Sequence, residues 1–219
     1  TTTGSTILSE IETLPRSINL WRCLTHWIGG MGIVVLTVAL LPILGVGGFQ
    51  LVKAETTGPE KGKVTAKITT TSKILWLIYL ALTLIETVIL KCLGMDFIDA
   101  LSQSFSTLGT GGFSTRNSSI GSFNSPAIEI VCTVFMFLAG VNFSMYYYFI
   151  VRKFSDIRDN SELKFYILII VVAILLIASN LCSVFKSFTT ALRYASFQVA
   201  AILSTTGFAN ADYLDWPAF

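Results

Sequence analysis

The sequence predicts an all-α membrane protein of repeated units, each a spanning helix, a short re-entrant helix with a glycine loop, and a second spanning helix. Three observations predict it. Of the 219 residues, 53% are hydrophobic and 13% charged, with a mean hydropathy of +0.71, whereas a soluble domain carries about 25% charged residues. Four apolar stretches are long enough to cross about 30 Å of hydrocarbon. Two shorter apolar pieces, each closed by a Thr-x-Gly loop, recur at a fixed spacing.

Composition also excludes function classes. A net charge of +2 with no Lys/Arg tract argues against nucleic acid. Cys23, Cys92, Cys132 and Cys182 form no CxxC pair, which speaks against zinc or redox chemistry. His26 is the single histidine, and no nucleophile is paired with a base. Neither an enzyme nor a cofactor is expected. No signal peptide is read, since residue 1 falls in a polar Thr-rich loop, and the chain reads as cut at both ends.

Taken in order, the chain opens on the loop Thr2-Thr3-Gly4-Ser5-Thr6 and enters a first span at about residues 20–44. Residues 45–73 hold five lysines, Lys53, Lys61, Lys63, Lys67 and Lys73. A second span covers 74–93, then a piece too short to cross, 97–108, then a third span, 128–151. Arg152, Lys153, Arg158 and Lys164 follow, before a fourth span at 165–184 and a second short piece at 191–203. These two basic loops hold nine of the fifteen Lys and Arg, so the positive-inside bias puts both in the cytoplasm. The short pieces then dip in from outside and return. The resulting segments are 1–44 (end of one unit), 45–73 (cytoplasmic loop), 74–151 (a complete unit), 152–164 (cytoplasmic loop) and 165–219 (a third unit up to the start of its last helix).

A shift of 95 residues superposes the two dips, with six identities in the fifteen positions from Ala100 to Ser114. Thr110-Gly111-Gly112-Phe113-Ser114 falls on Thr205-Thr206-Gly207-Phe208-Ala209, and the opening Thr2-Thr3-Gly4 fits the same template. Pro15, Pro126 and Pro217 follow the three glycines, where proline suits the first turn of a helix. Repeats of this kind mark transport proteins. Loops at membrane depth must line a polar path or be buried in protein. Three meeting at one axis would aim carbonyl oxygens inward, as a potassium filter does. The threonine, first glycine and aromatic of the filter run TVGYG are kept in the second and third loops. The final glycine is replaced by Thr6, Ser114 and Ala209, which implies a shorter filter. A phosphate loop is excluded, because none of the three carries the required lysine.

With these loops and Trp27-Ile28-Gly29-Gly30-Met31-Gly32-Ile33, Leu44-Gly45-Val46-Gly47-Gly48 and Lys53-Ala54-Glu55-Thr56-Thr57-Gly58-Pro59, the chain resembles the Trk/Ktr/HKT superfamily of potassium transporters. The likeness is strongest to the bacterial TrkH branch and covers essentially all 219 residues. It implies K⁺-channel-like M1–P–M2 units around one pore, with a fourth filter and the rest of the third M2 outside this sequence. It also implies K⁺ as the transported ion, bound by backbone carbonyls of Thr2, Thr3, Gly4, Thr110, Gly111, Gly112, Thr205, Thr206 and Gly207. Serine at the first-loop glycine goes with sodium in the plant branch, so Gly4 favours potassium. A homodimer and a cytoplasmic nucleotide-binding regulatory ring are implied as partners, in the bacterial plasma membrane. A Na⁺-permeable transporter and a non-conducting assembly or sensor module remain the alternatives.

Other residues carry two readings. Glu86, inside the second span, could relay ions, but a structural hydrogen bond is preferred. His26 could couple protons, but packing is preferred. Gly29, Gly30 and Gly32 read as close helix contact before hinge. Outer acids (Glu10, Glu12, Asp96, Asp99, Asp212, Asp215) are largely offset by Arg16, Arg116, Lys186 and Arg193. Tyr146-Tyr147-Tyr148-Phe149 reads as an interfacial belt.

Overall fold

In the computed structural model, residues 2–30, 32, 68–185, 187–212, 216 and 217 are described. The latter part of the first expected span, Lys53, Lys61, Lys63, Lys67, Lys186 and Asp215 lie outside the described residues.

Helix α1 (Arg16–Gly30) starts on Pro15, whose carbonyl accepts from Ile18 N at 2.9 Å and Asn19 N at 3.2 Å. α2 (Ile68–Cys92) is a full-length apolar helix that ends at Gly94, with φ of +97°. Met95 N bonds back to Leu90 O at 3.2 Å, which turns the chain so that α3 (Phe97–Leu108) runs back along α2. Arg16 Nη1 reaches Asp96 at 2.9 Å and so ties the start of α1 to the start of α3.

α3 buries Ser102, Gln103, Ser104, Ser106 and Thr107 among its neighbours. Hydroxyls in so dry a place need local acceptors. Ser104 Oγ donates to Ala100 O at 2.9 Å and Thr107 Oγ1 to Gln103 O at 2.8 Å. Thr83 and Thr87 do the same along α2, each at 2.8 Å.

A short 3₁₀ turn (Ser119–Phe123) precedes α4 (Pro126–Gly140), which has proline in its first turn. Here the structure departs from the expected continuous span at 128–151. The helix breaks at Val141-Asn142 and restarts as α5 (Phe143–Ile150). The break follows Gly140, where a Cβ would meet the Tyr166 hydroxyl. Two carbonyls at the break take tyrosine hydroxyls: Tyr146 Oη donates to Leu138 O at 2.6 Å and Tyr166 Oη to Phe137 O at 3.2 Å. One member of the expected aromatic belt, Tyr146, therefore turns inward. Tyr146→Phe is expected to lower stability by about 1 kcal/mol, read as a lower thermal midpoint of the detergent-solubilised full-length protein.

The short α6 (Phe154–Asp159) leads into α7 (Ser161–Phe185), against which α8 (Phe188–Leu203) packs. Ala178, Ala191 and Ala195 lie in that contact, small residues that let helices approach. The rest of α7 exposes Phe165, Ile167, Leu168, Val172 and Leu175, an apolar face suited to lipid. Two further clusters form the core. Leu90, Ile128, Met136, Phe197 and Phe208 join α2, α4 and α8. Trp27, Tyr79, Leu108 and Phe135 join α1 to α4. Trp27 Nε1 donates to Thr83 Oγ1, and Tyr79 Oη donates to Trp27 O, both at 2.9 Å.

Candidate functional site

The second and third glycine loops leave their helices along the same path. Gly109 N bonds Phe105 O and Ser204 N bonds Ala200 O, both at 3.0 Å; Thr110 N to Thr107 O and Thr205 N to Ile202 O repeat the match at 3.0 Å. The backbone then turns left-handed twice. Thr110 and Thr205 have φ of +48° and +57°, and Gly112 and Gly207 have +80° and +76°. Gly4 in the first loop has +69°. Sequence reasoning gave this freedom to the glycines and missed the threonines. A β-branched residue in this region is an outlier that the surrounding fold must hold in place. The loops differ in one bond: Gly111 N returns to Ser106 O at 2.9 Å, whereas in the third loop Gly207 N takes Ala201 O at 3.0 Å.

The three loops lie edge to edge. A Cβ on Gly4 would strike the carbonyl oxygen of Gly111, and a Cβ on Gly112 would strike that of Thr206. Each glycine is thus the point where one loop leans on the carbonyl of the next, in chain order. Gly207 has no atom within 4 Å of its Cβ position among the described residues. Gly111 and Thr206 are buried, Thr2, Gly4, Thr110 and Gly112 half-buried, and Thr3, Thr205 and Gly207 exposed.

The glycine pair Gly29-Gly30 answers to the close-contact reading at its second member. A Cβ on Gly30 would lie 2.5 Å from Gly109 Cα, and one on Gly109 would lie 2.6 Å from His26 O. α1 and α3 therefore touch backbone to backbone just before the second loop. His26 is enclosed and packs on that loop. Glu86 is fully buried, yet neither carboxyl oxygen has a hydrogen-bond partner among the described residues. The Thr107 hydroxyl lies beside it and donates to Gln103 O at 2.8 Å.

Two of the outer basic residues, Arg16 and Arg116, pair with outer acids as expected, whereas Arg193 meets Glu129 instead. Arg16 meets Asp96 at 2.9 Å, and Arg116 meets Asp99 at 3.4 Å and Glu12 at 3.9 Å. The chain after the second and third loops hangs on the preceding unit. Asn117 Oδ1 accepts from Ile11 N at 2.7 Å, and Asn117 N donates to Glu12 at 3.3 Å. Gly121 N donates to Ala209 O at 3.2 Å, and Ala209 N to Ser119 Oγ at 3.3 Å.

Glu129 was missed. It is buried in the first turn of α4, where its Oε2 accepts from Asn210 Nδ2 at 3.0 Å and pairs with Arg193 Nε at 3.4 Å. The signal was there: an acid at a helix N-terminus, inside an otherwise apolar run, asks for partners. Glu129→Ala is expected to cost about 2 kcal/mol by stranding both partners, with Glu129→Gln recovering most of it. The thermal midpoint of the full-length protein checks this.

The TrkH family model, described as a cation transport protein, matches residues 1–219. The Trk system potassium uptake protein TrkH of Halomonas elongata is 41% identical over 99% of this chain and 46% of its own length. That of Escherichia coli K12 is 39% identical over 100% and 46%. The crystal structure of the potassium transporter TrkH from Vibrio parahaemolyticus superposes with a TM-score of 0.80 at 35% identity, over 99% of this chain and 44% of that one. The chain thus spans about half the length of the relatives it matches. With the whole sequence matched and the helices superposed, the chain belongs to the TrkH family of cation transport proteins.

Proposed function

We propose that the protein containing this chain takes up potassium across the bacterial plasma membrane, through a pore lined by loop carbonyls. The lining would be Thr2, Thr3, Gly4, Thr110, Gly111, Gly112, Thr205, Thr206 and Gly207. The observation that carries the reading is the edge-to-edge stacking of the three left-handed glycine loops, the first leaning on a carbonyl of the second and the second on one of the third. Relatives named as potassium uptake proteins support the choice of ion, as does glycine at position 4.

Helix lengths support the re-entrant, M1–P–M2 arrangement. The 25 residues of α2 rise about 37 Å and the 12 of α3 about 18 Å. In this reading α3 returns about halfway along α2 and would deliver the second loop near mid-membrane, and the positive-inside bias would put the lysine-rich loops in the cytoplasm. A dehydrating K⁺ there needs oxygen ligands that do not collapse inward. Strained backbone held by packed helices supplies such ligands without a charged side chain. A homodimer and a cytoplasmic nucleotide-binding regulatory ring follow from the family likeness and belong to the same proposal.

The test uses the full-length protein in a bacterium lacking its own potassium uptake, with K⁺ and Na⁺ uptake both measured. K⁺-dependent rescue is the expected result. Uptake led by Na⁺ would overturn the choice of ion, and no uptake of either ion from folded membrane protein would favour a non-conducting module.

A further inference from the structure

Two side chains of α1 stand behind the second glycine loop, and the pore reading leaves them without a task. Arg22 and His26 are four residues apart, so they share one face of the helix. Both rest on the ring of Phe113, the residue directly after Gly112. The His26 ring stacks on it with centroids 3.9 Å apart and planes 17° apart. The Arg22 guanidinium carbon lies 4.4 Å from the same centroid.

The grip extends to the loop itself. His26 is 1% exposed, and a Cβ on Gly111 would overlap its imidazole. Its Nδ1 is buried with no hydrogen-bond partner among the described residues, so the ring is held by shape and stacking. Cys23 Sγ, on the same helix, lies 3.9 Å from Phe113 O. Arg22 also reaches the first loop, with Nη2 3.4 Å from Thr6 Oγ1, while Nη1 donates to Asn19 Oδ1 at 3.0 Å. One arginine thus touches the loops on both sides of the Gly4–Gly111 contact. Among the described residues Phe208 of the third loop sits instead in the apolar cluster with Cys132, Met136 and Phe197.

We propose that Arg22 and His26 are positioning residues of the second filter, holding Phe113 so that the Gly111 and Gly112 carbonyls stay at ion-binding separation. The proposal rests on reading that loop as a filter. Ion discrimination by fixed ligands is lost when the ligands can shift, so the effect falls on selectivity before assembly.

The experiment measures K⁺ and Na⁺ uptake by the full-length protein carrying His26→Ala, Arg22→Ala or Phe113→Leu, with Gly112→Ser as the control for the filter itself. Membrane content and gel-filtration profile are followed in parallel. His26→Ala, Arg22→Ala and Phe113→Leu are each expected to lower the K⁺-over-Na⁺ preference about three- to tenfold, the worth of one aromatic contact. Adding His26→Ala to Phe113→Leu is expected to cost little more, because both remove the same contact. His26→Phe, which keeps a stacking ring, is expected to restore most of the preference. Should an alanine variant fail to accumulate, Phe113→Leu and His26→Phe decide the matter. Unchanged preference in the clamp variants, with Gly112→Ser still harmful, would overturn the positioning role alone. Unchanged preference in Gly112→Ser as well would overturn the filter reading, and this proposal with it.

Discussion

Gly112→Ser is expected to reduce potassium uptake by the full-length protein on the order of ten- to hundredfold and to erode its preference over sodium. Two costs combine. A side chain at φ of +80° carries a penalty of roughly 1–2 kcal/mol, and about 1.4 kcal/mol is a factor of ten. The new Cβ also strikes the Thr206 carbonyl, a backbone group that cannot swing aside without moving the third loop. Ion uptake against a membrane-content control reads the effect. Full activity at equal protein would mean that the second and third loops do not share one ion path.

Gly30→Val is expected to prevent assembly rather than to tune transport. The residue meets the Gly109 backbone, with 2.5 Å between a Cβ and Gly109 Cα and 2.8 Å to Gly109 O. Neither atom belongs to a flexible side chain, so α1 must lift off α3. Overpacking of this kind costs about 3 kcal/mol or more, and here it also breaks the bonds from Trp27 and Tyr79 that join α1 to α2. The expected readout is loss of monodisperse protein after solubilisation. Wild-type yield and thermal midpoint would contradict the close contact.

Much of this architecture was legible because lipid imposes simple rules. α3 begins and ends where the short apolar piece does, at Phe97 and Leu108, and α7 covers the fourth expected span. The matched Thr-x-Gly spellings foretold matched backbone turns, and the glycines fell at left-handed positions. What stayed hidden depended on contacts between distant residues. The break after Gly140 is not written in hydropathy, since α4 and α5 are both apolar; it comes with hydroxyl bonds from Tyr146 and Tyr166 to the carbonyls of Leu138 and Phe137. The partners of Glu129 come from 64 and 81 residues further along the chain, Arg193 and Asn210. The left-handed threonines run against local preference, so only the packed loop could reveal them.

On the proposed function, backbone carbonyls of these loops hold the ion. The most direct measurement is the anomalous diffraction of crystals of the full-length protein grown with Rb⁺, an electron-dense stand-in for K⁺. The expected result is a peak enclosed by carbonyl oxygens at Thr2–Gly4, Thr110–Gly112 and Thr205–Gly207. Peaks confined to side-chain carboxylates such as Glu86, with these loops empty, would contradict it.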